Sequence, residues 1–435
     1  MKKVWFLLSV LLVAAFVLTA CGKQTTPTAA PAPTQAPAKT QAPKPTKAPT
    51  KPPTQAPKPT ATPKPTLKGT VTLWHAWKEN EMASLNDVIK AFQAKYPDVK
   101  VNVLYVPFDD LRGKYETAAS SGSGPTVLIG AADWGPALYE AGLVADLTPY
   151  VDKDFLSNIN KAALGAVEYK GALIGLPETL KGVVMYRNTS ILPNAPKTFD
   201  ELVKMSQEHG KCAFLERGFF FSAAHLMGLG GQLMDAQGNP MFNNEKGVEW
   251  VKLLERFSEA GNTTYYTDDD VNMFKAGKAC IIIDGTWNMS NLAQAVGKDK
   301  ISIDPWPTPL SGFVQTENIY LSTNAEGDNQ KASIAFIKFF LSPEAQKLLA
   351  NPDKAAHIPA IKGIEVTDPL MKEAMVAFEG GQPFPVIPEM GAYWGPMDNA
   401  LKSVFDKGVD PKTALQQAYD AITAKIKEIR SGNGG

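Results

Sequence analysis

Between residues 69 and 131 the hydrophobic period of the chain changes four times, and this alternation limits the fold more than any other feature. The stretch "TVTLWHAW" (70–77) has the short, β-branched and aromatic character of a strand. Residues 80–96 then place Met82, Leu85, Val88, Ile89, Phe92 and Tyr96 at helical spacing, and Pro97 closes the run. "VKVNVLYV" (99–106) returns to period two, a short helix is expected over about 108–120, and "SGSGPT" turns the chain into the strand "TVLIG". Strand, helix, strand, helix, strand predicts an α/β fold, with a mostly parallel sheet covered by helices on both faces.

The pattern resumes beyond "GLPETLKGVVMYRN". Thr198 and Glu201 have the spacing of a capping box, "CAFLE" is a short strand, and 244–260 is a helix whose Trp250, Leu253, Leu254 and Phe257 form one apolar stripe. "ACIIID" and "NIYLSTNA" are further strands. Residues 329–350 are helical, restarted by Ser342-Pro343. Asp410-Pro411 opens a last helix with Leu415, Ala418, Ile422 and Ile426 on one side. No repeat of solenoid length is present.

The first 67 residues are of another kind. Lys2-Lys3 and the apolar run from Val4 to Leu18 have the length of a secretory leader rather than of a membrane span. The run ends in Leu18-Thr19-Ala20-Cys21, which resembles a bacterial lipobox. That reading makes 1–20 the signal peptide and Cys21 the lipidated residue, against the alternative of a plain secretory signal. Residues 22–67 are almost entirely Pro, Thr, Ala, Lys and Gln, so they have nothing to bury. They read as a disordered linker after Cys21 with a reach of up to ~140 Å, long enough to lift a domain off a membrane. Lys2, Lys3 and the seven lysines of 22–67 take nine of the 44 basic residues. The rest of the chain therefore sets 35 basic against 44 acidic residues, which argues against a nucleic-acid partner. Cys212 and Cys280 remain, each just inside an expected strand. Export permits a disulfide between them, and two buried thiols are the alternative.

Few catalytic signatures are available. The four histidines (75, 209, 225, 357) form no zinc-type motif, and neither a nucleophile elbow nor a P-loop occurs. Asp268-Asp269-Asp270 starts like a calcium loop, but Met273 stands where the glycine belongs, so a solvated turn is the better reading. No catalytic residue, metal or cofactor is assigned. Carboxylates are plentiful, yet no local motif marks the carboxyl pair a glycosidase needs. What remains is the placement of aromatics. Trp74, Trp77, Trp134, Trp287, Trp306 and Trp394 fall at strand ends or in Gly/Pro-bearing turns, whereas Trp250 sits on the core stripe. In open α/β sheets ligands settle outside the carboxyl ends of strands. An indole there suits the C–H face of a sugar ring; closing a hydrophobic gap is the competing use of each tryptophan.

Four blocks carry a family resemblance: "YKGALIGLPETLKGVVMYRNTSILPNAPKTFDEL", "MFKAGKACIIIDGTWNMSNL", "IPEMGAYWGPMDNAL" and "GAADWGPALYEAGLVADLTPYV". Over about 68–430 the chain resembles the extracellular solute-binding proteins of ABC importers, and within them the maltose/maltodextrin-binding branch. The resemblance implies a two-lobe periplasmic-binding-protein-like fold, each lobe a mostly parallel sheet flanked by helices, with three crossings between lobes. It places one lobe at 68–178 plus 313–355 and the other at 182–310 plus 360–430. It implies a non-enzymatic, monomeric receptor on the outer face of the cell membrane or in the periplasm, binding an oligosaccharide in the cleft and serving an ABC permease. A receptor for another sugar or polyol and a surface glycosidase are the alternatives. Trp287 and Trp394 match the family's stacking tryptophans, Asp133 a hydroxyl-binding acid, and Glu216 and Glu178 two further acids. Trp134 stands where the family has a cation. Phe220 stands in the Gly-Phe-Phe-Phe run that replaces the family's tyrosine, and Trp77 and Lys78 stand where it has Asp-Lys.

Overall fold

The computed structural model describes residues 67–432; the leader, Cys21 and the linker up to residue 66 lie outside the described residues. The chain divides into two units, Met1–Ala61 and Thr62–Gly435. Among the described residues no helix is long and apolar enough to cross a membrane.

The second unit begins with β1 (Gly69–His75), α1 (Glu79–Lys95), β2 (Val99–Tyr105), α2 (Phe108–Ser120), β3 (Val127–Ala131) and α3 (Trp134–Glu140). β1 runs parallel to both β2 and β3. α1 turns Leu85, Val88, Ile89 and Phe92 inward, as their spacing requires. They join Val71, Leu73, Ile129, Phe336 and Phe340 in one core.

β4 (Leu176–Asn188) then runs for 13 residues and serves two regions. Its first half pairs antiparallel with β9 (Phe313–Leu321), which pairs antiparallel with β3. Its second half, from Val183, pairs with β7 (Ile281–Gly285), which continues in parallel to β5 (Ala213–Glu216) and β6 (Gly261–Thr264). β8 (Ile301–Asp304) lies on its other edge. The sheet is thus continuous in the order β2-β1-β3-β9-β4-β7-β5-β6, parallel toward both ends and antiparallel where the crossing strands meet. Gly182 sits at the handover. A Cβ there would fall 2.5 Å from the Phe378 ring and 2.8 Å from the Phe313 carbonyl oxygen.

The unbroken runs "VVMY" and "IIID" follow from burial on both faces. Val183, Met185, Ile281 and Ile283 face one core with Trp250, Phe257, Leu415 and Ile422. Val184, Tyr186 and Ile282 face another with Phe274 and Leu292. The expected helix over 244–260 is two pieces, Glu245–Glu255 and Phe257–Ala260. Thr198 caps α4 (Phe199–Glu208) by accepting from the Glu201 N–H at 3.1 Å. The Glu201 carboxylate reaches back to the N–H of Lys197, one residue further than a capping box requires. The expected "NIYLSTNA" strand begins earlier, at Phe313, because its preceding residues already pair with β4.

Cys212 and Cys280 form a disulfide with Cα atoms 5.3 Å apart, which resolves the alternative left open above. It closes a loop spanning 68 residues at the starts of β5 and β7.

A buried charged lattice occupies the crossing region. The Lys181 amino group (β4) contacts Glu81 of α1 at 2.7 Å and also Glu317 of β9. His357, beside the short strand Ile358–Pro359 that pairs with β4, meets Glu81 at 2.9 Å and Glu178 of β4 at 3.3 Å. Trp77 donates its indole N–H to Glu317 at 2.9 Å and packs edge-on to His357 at 4.8 Å. Burial opposes the charge on each group, and the partners decide the outcome. Lys181 and His357 outweigh burial at Glu81 and hold it down to about 2. Burial wins at Glu178, lifting it to about 7 against the pull of His357. Glu178 and Glu81 outweigh burial at His357 and lift it to about 9.

Two outcomes follow. Replacing both cysteines by serine should lower unfolding stability by about 2–4 kcal/mol in denaturant titration, with an unchanged fold by circular dichroism. Raising the pH from 7 to 9 should lower the melting temperature of the unliganded protein. Glu178, together with Asp284 at about 7 and Asp270 at about 8, retains protons that the unfolded carboxylates have already lost. The stability gained from protonated His357 also disappears as pH passes its folded value. Buried His75 and His225, held down to about 4, oppose this trend only below their unfolded value of 6.5. Glu178→Gln should flatten the slope measured by differential scanning fluorimetry; a melting temperature that rises over this interval would contradict the assignment.

Candidate functional site

The carboxyl ends of β1, β3, β5, β6 and β7 deliver loops to a common region, as open α/β sheets do at their ligand crevices. β3 ends at Ala131 and leads to Asp133 and Trp134. The Trp134 ring lies across Gly130, where a Cβ would fall 2.6 Å from it. Phe108, at the start of α2, sits against that indole with centroids 5.1 Å apart and 36° between planes. Asp133 is 5% exposed, and its Oδ2 has no hydrogen-bond partner. Burial pushes its carboxyl up to about 6, with Arg112 and the Trp394 side chain drawing it partly back.

On the other side, β5 ends at Glu216 and turns into α5 (Phe219–Gly228). Phe220 is the hub of an aromatic cluster. Its ring lies 6.2 Å from Trp287, 6.2 Å from Trp394 and 5.9 Å from Phe384, while Phe384 and Trp394 stack at 5.9 Å. Trp287 follows β7 and lies back across Gly285, where a Cβ would meet the ring at 2.1 Å. That close approach is the reason for glycine in "DGTW". Both Trp287 and Trp394 are half-buried.

Glu216 organises this side from within. One carboxylate oxygen accepts the Gly218 N–H at 2.6 Å and the other the Tyr266 N–H at 2.9 Å. Burial still raises its pKa. Tyr266 takes a left-handed backbone with φ 52, lays its ring over Gly218, and accepts the Phe220 N–H on its hydroxyl at 3.0 Å. The two sides meet where Asn80 of α1 donates to Ser290 at 3.1 Å and where Asp133 lies beside Trp394.

The structure therefore brings Phe220, Trp287 and Trp394 together, with Asp133 alongside and Trp134 next along β3's loop. Trp77 and Glu178, expected on the ligand surface, are 2% and 0% exposed and belong to the buried lattice of the crossing strands. Each is drawn inward by a partner far away in sequence: the Trp77 indole N–H meets Glu317 and one Glu178 oxygen meets His357, while Glu178 Oε1 has no hydrogen-bond partner. Glu216 is likewise buried, with each carboxylate oxygen accepting one backbone N–H. Lys78 is exposed, its amino group 5.9 Å from the Tyr105 ring. Sequence reasoning missed Tyr266 and Phe384; the position of Tyr265-Tyr266 directly after β6 was the available signal for the first. Among the described residues no group of three or more His, Cys, Asp or Glu side chains is placed to hold a metal ion.

The family profile of bacterial extracellular solute-binding proteins matches residues 87–376. The chain is 29% identical over 392 residues to the maltotriose-binding protein of Pyrococcus abyssi (strain GE5 / Orsay), covering 83% of this chain and 81% of that one. It is 27% identical over 385 residues to the galactooligosaccharide-binding protein of Bacillus subtilis (strain 168), covering 82% and 90%. Its fold is similar to that of the maltose/maltodextrin-binding domain MalE from Bdellovibrio bacteriovorus bound to maltotriose, with a TM-score of 0.75 at 22% identity over 82% of this chain and 100% of that one. A continuous sheet crossed by β4 and β9, and a family match spanning most of the described residues, make this chain a member of the bacterial extracellular solute-binding proteins.

Proposed function

We propose that the protein is a receptor that captures an oligosaccharide of the maltodextrin type between two lobes and passes it to an ABC permease. The lobes are residues 68–178 with 313–355 and residues 182–310 with 360–430. The observation that carries this reading is the convergence of Phe220, Trp287 and Trp394 beside Asp133, whose buried Oδ2 has no protein donor. Aromatic planes take the C–H faces of pyranose rings, and an unsatisfied buried carboxylate oxygen is a natural acceptor for a sugar hydroxyl. The name of the Pyrococcus relative, a maltotriose-binding protein, supports this ligand class, and that of the Bacillus relative, a galactooligosaccharide-binding protein, supports an oligosaccharide ligand more broadly.

In this reading Cys21 carries the lipid, 22–67 is the tether, and the receptor works as a monomer on the outer face of the cell membrane or in the periplasm. Capture proceeds by closure: a ligand that touches both lobes favours the closed arrangement by its differential affinity. Glu216 acts indirectly, by fixing the loops that present Phe220 and Tyr266. The protein binds without turnover, so it is no glycosidase.

Isothermal titration with maltotriose should give saturable one-to-one binding in the micromolar range, about −8 kcal/mol. Trp287→Ala or Trp394→Ala should each cost about 1–3 kcal/mol. Affinity should also fall as pH drops through about 6, because protonated Asp133 loses acceptor capacity. Absence of binding to any α-glucan would remove this ligand class, and reducing ends accumulating over time would indicate an enzyme instead.

A further inference from the structure

The receptor reading uses the aromatic cluster around Phe220 and leaves a second group of exposed aromatics unexplained. Phe108 is 52% exposed and Tyr105 40% exposed, large values for residues adjoining a crevice. Tyr105 ends β2 and pairs with His75, the last residue of β1, so it too lies at a carboxyl end of the parallel strands. Phe108 opens α2 and rests on Trp134, the neighbour of Asp133. The Lys78 amino group stands over the Tyr105 ring at 5.9 Å, and Asp109 and Asp110 are exposed in the first turn of α2.

An exposed phenyl ring seated on a buried indole is held in orientation while its outer face stays open. Filling a core would have covered that face, and an ordinary solvated turn would have no such backing. The surrounding amine and carboxylates offer both donors and acceptors around an apolar plane. That combination matches a pyranose ring with its apolar face and its rim of hydroxyls. The group is also continuous with the cleft, through Trp134 and Asp133 to Trp394.

We propose that Phe108, with Tyr105 and Lys78, forms a distal subsite that stacks a further sugar residue of the same oligosaccharide, so that the receptor favours longer chains over short ones. This inference rests on the receptor reading above. The subsite adds affinity only when the ligand extends past the unit held near Trp287 and Trp394.

The test is isothermal titration of the purified wild-type chain, Phe108→Ala, Phe108→Trp and Trp287→Ala with maltotriose and maltohexaose. Phe108→Ala should weaken maltohexaose binding roughly 5- to 10-fold and leave maltotriose within about twofold. Phe108→Trp should restore the preference for the longer ligand, and Trp287→Ala should weaken both. Because Phe108 is half exposed, its variants should melt as the wild type does. If the wild type binds dextrins and Phe108→Ala weakens neither or weakens both equally, the distal subsite is wrong while the receptor reading stands. If Phe108→Ala leaves every affinity intact but abolishes cellular uptake, the platform contacts the permease and the inference is overturned. If the wild type binds no dextrin, the receptor's ligand class fails and the inference falls with it.

Discussion

The architecture depends on charge pairing inside the crossing region. Lys181 is buried, and a lone ammonium there would be expelled or neutralised at a cost of several kcal/mol. It is retained because Glu81 and Glu317 approach it from α1 and β9. His357 extends the pairing to Glu81 and Glu178. The participating residues therefore come from β4, from β9 and from the segment at 357–359, which are the chain's three passages along this part of the sheet, and from the first helix. Removing one partner strands another charge in a low-dielectric interior, so the set specifies register even where a hydrophobic replacement would pack equally well. Beside it, Gly182 lets β4 change neighbours, from β9 to β7, without a gap in the ladder.

That continuity fixes where the functional loops emerge. β3 and β7 are held in one sheet through β9 and β4, so Asp133 and Trp287 are placed by the same hydrogen-bonded frame. Glycine then brings aromatic rings down onto backbone at the strand ends. Trp134 lies on Gly130, Trp287 on Gly285 and Tyr266 on Gly218. Any side chain at these glycines would lift the ring from its seat. The site is thus assembled by close approach of rings to backbone, with Glu216 as the buried tie between the β5 and β6 loops.

Much of this was legible in the sequence because it is local. The period changes located β1, α1, β2, α2 and β3, and Ser342, Asp410 and Thr198 marked helix starts that the structure keeps. Trp250 sits in the core, as its helical stripe required. The failures are non-local. β4 contains Pro177, Glu178 and Lys181, which spoil a strand pattern until Glu317 and His357, more than a hundred residues away, neutralise them. The same pairing drew Trp77 and Glu178 inward from the ligand surface where the sequence reading had put them. The disulfide stayed undecided for a related reason: only the approach of β5 to β7 sets the distance between Cys212 and Cys280.

The electrostatics of the crevice narrow what it can accept. Asp133 lies on one side, and Glu216, Asp270 and Asp284 lie on the other, all buried and all raised above ordinary carboxylate values. Burial is the main cause in each case, and mutual repulsion among the second-side acids adds to it. An anionic ligand beside Asp133, which is ionised above about pH 6, would meet repulsion there. A neutral molecule with many hydroxyl donors would not, and each donor reaching an unsatisfied acceptor such as Asp133 Oδ2 relieves part of its desolvation cost. The aromatic hub supplies the complementary demand for a ligand with an apolar face. Phosphate esters and carboxylates fail the first condition, and small, fully polar solutes fail the second. Neutral oligosaccharides satisfy both, because every pyranose ring carries a hydroxyl rim and a C–H face on the same rigid body.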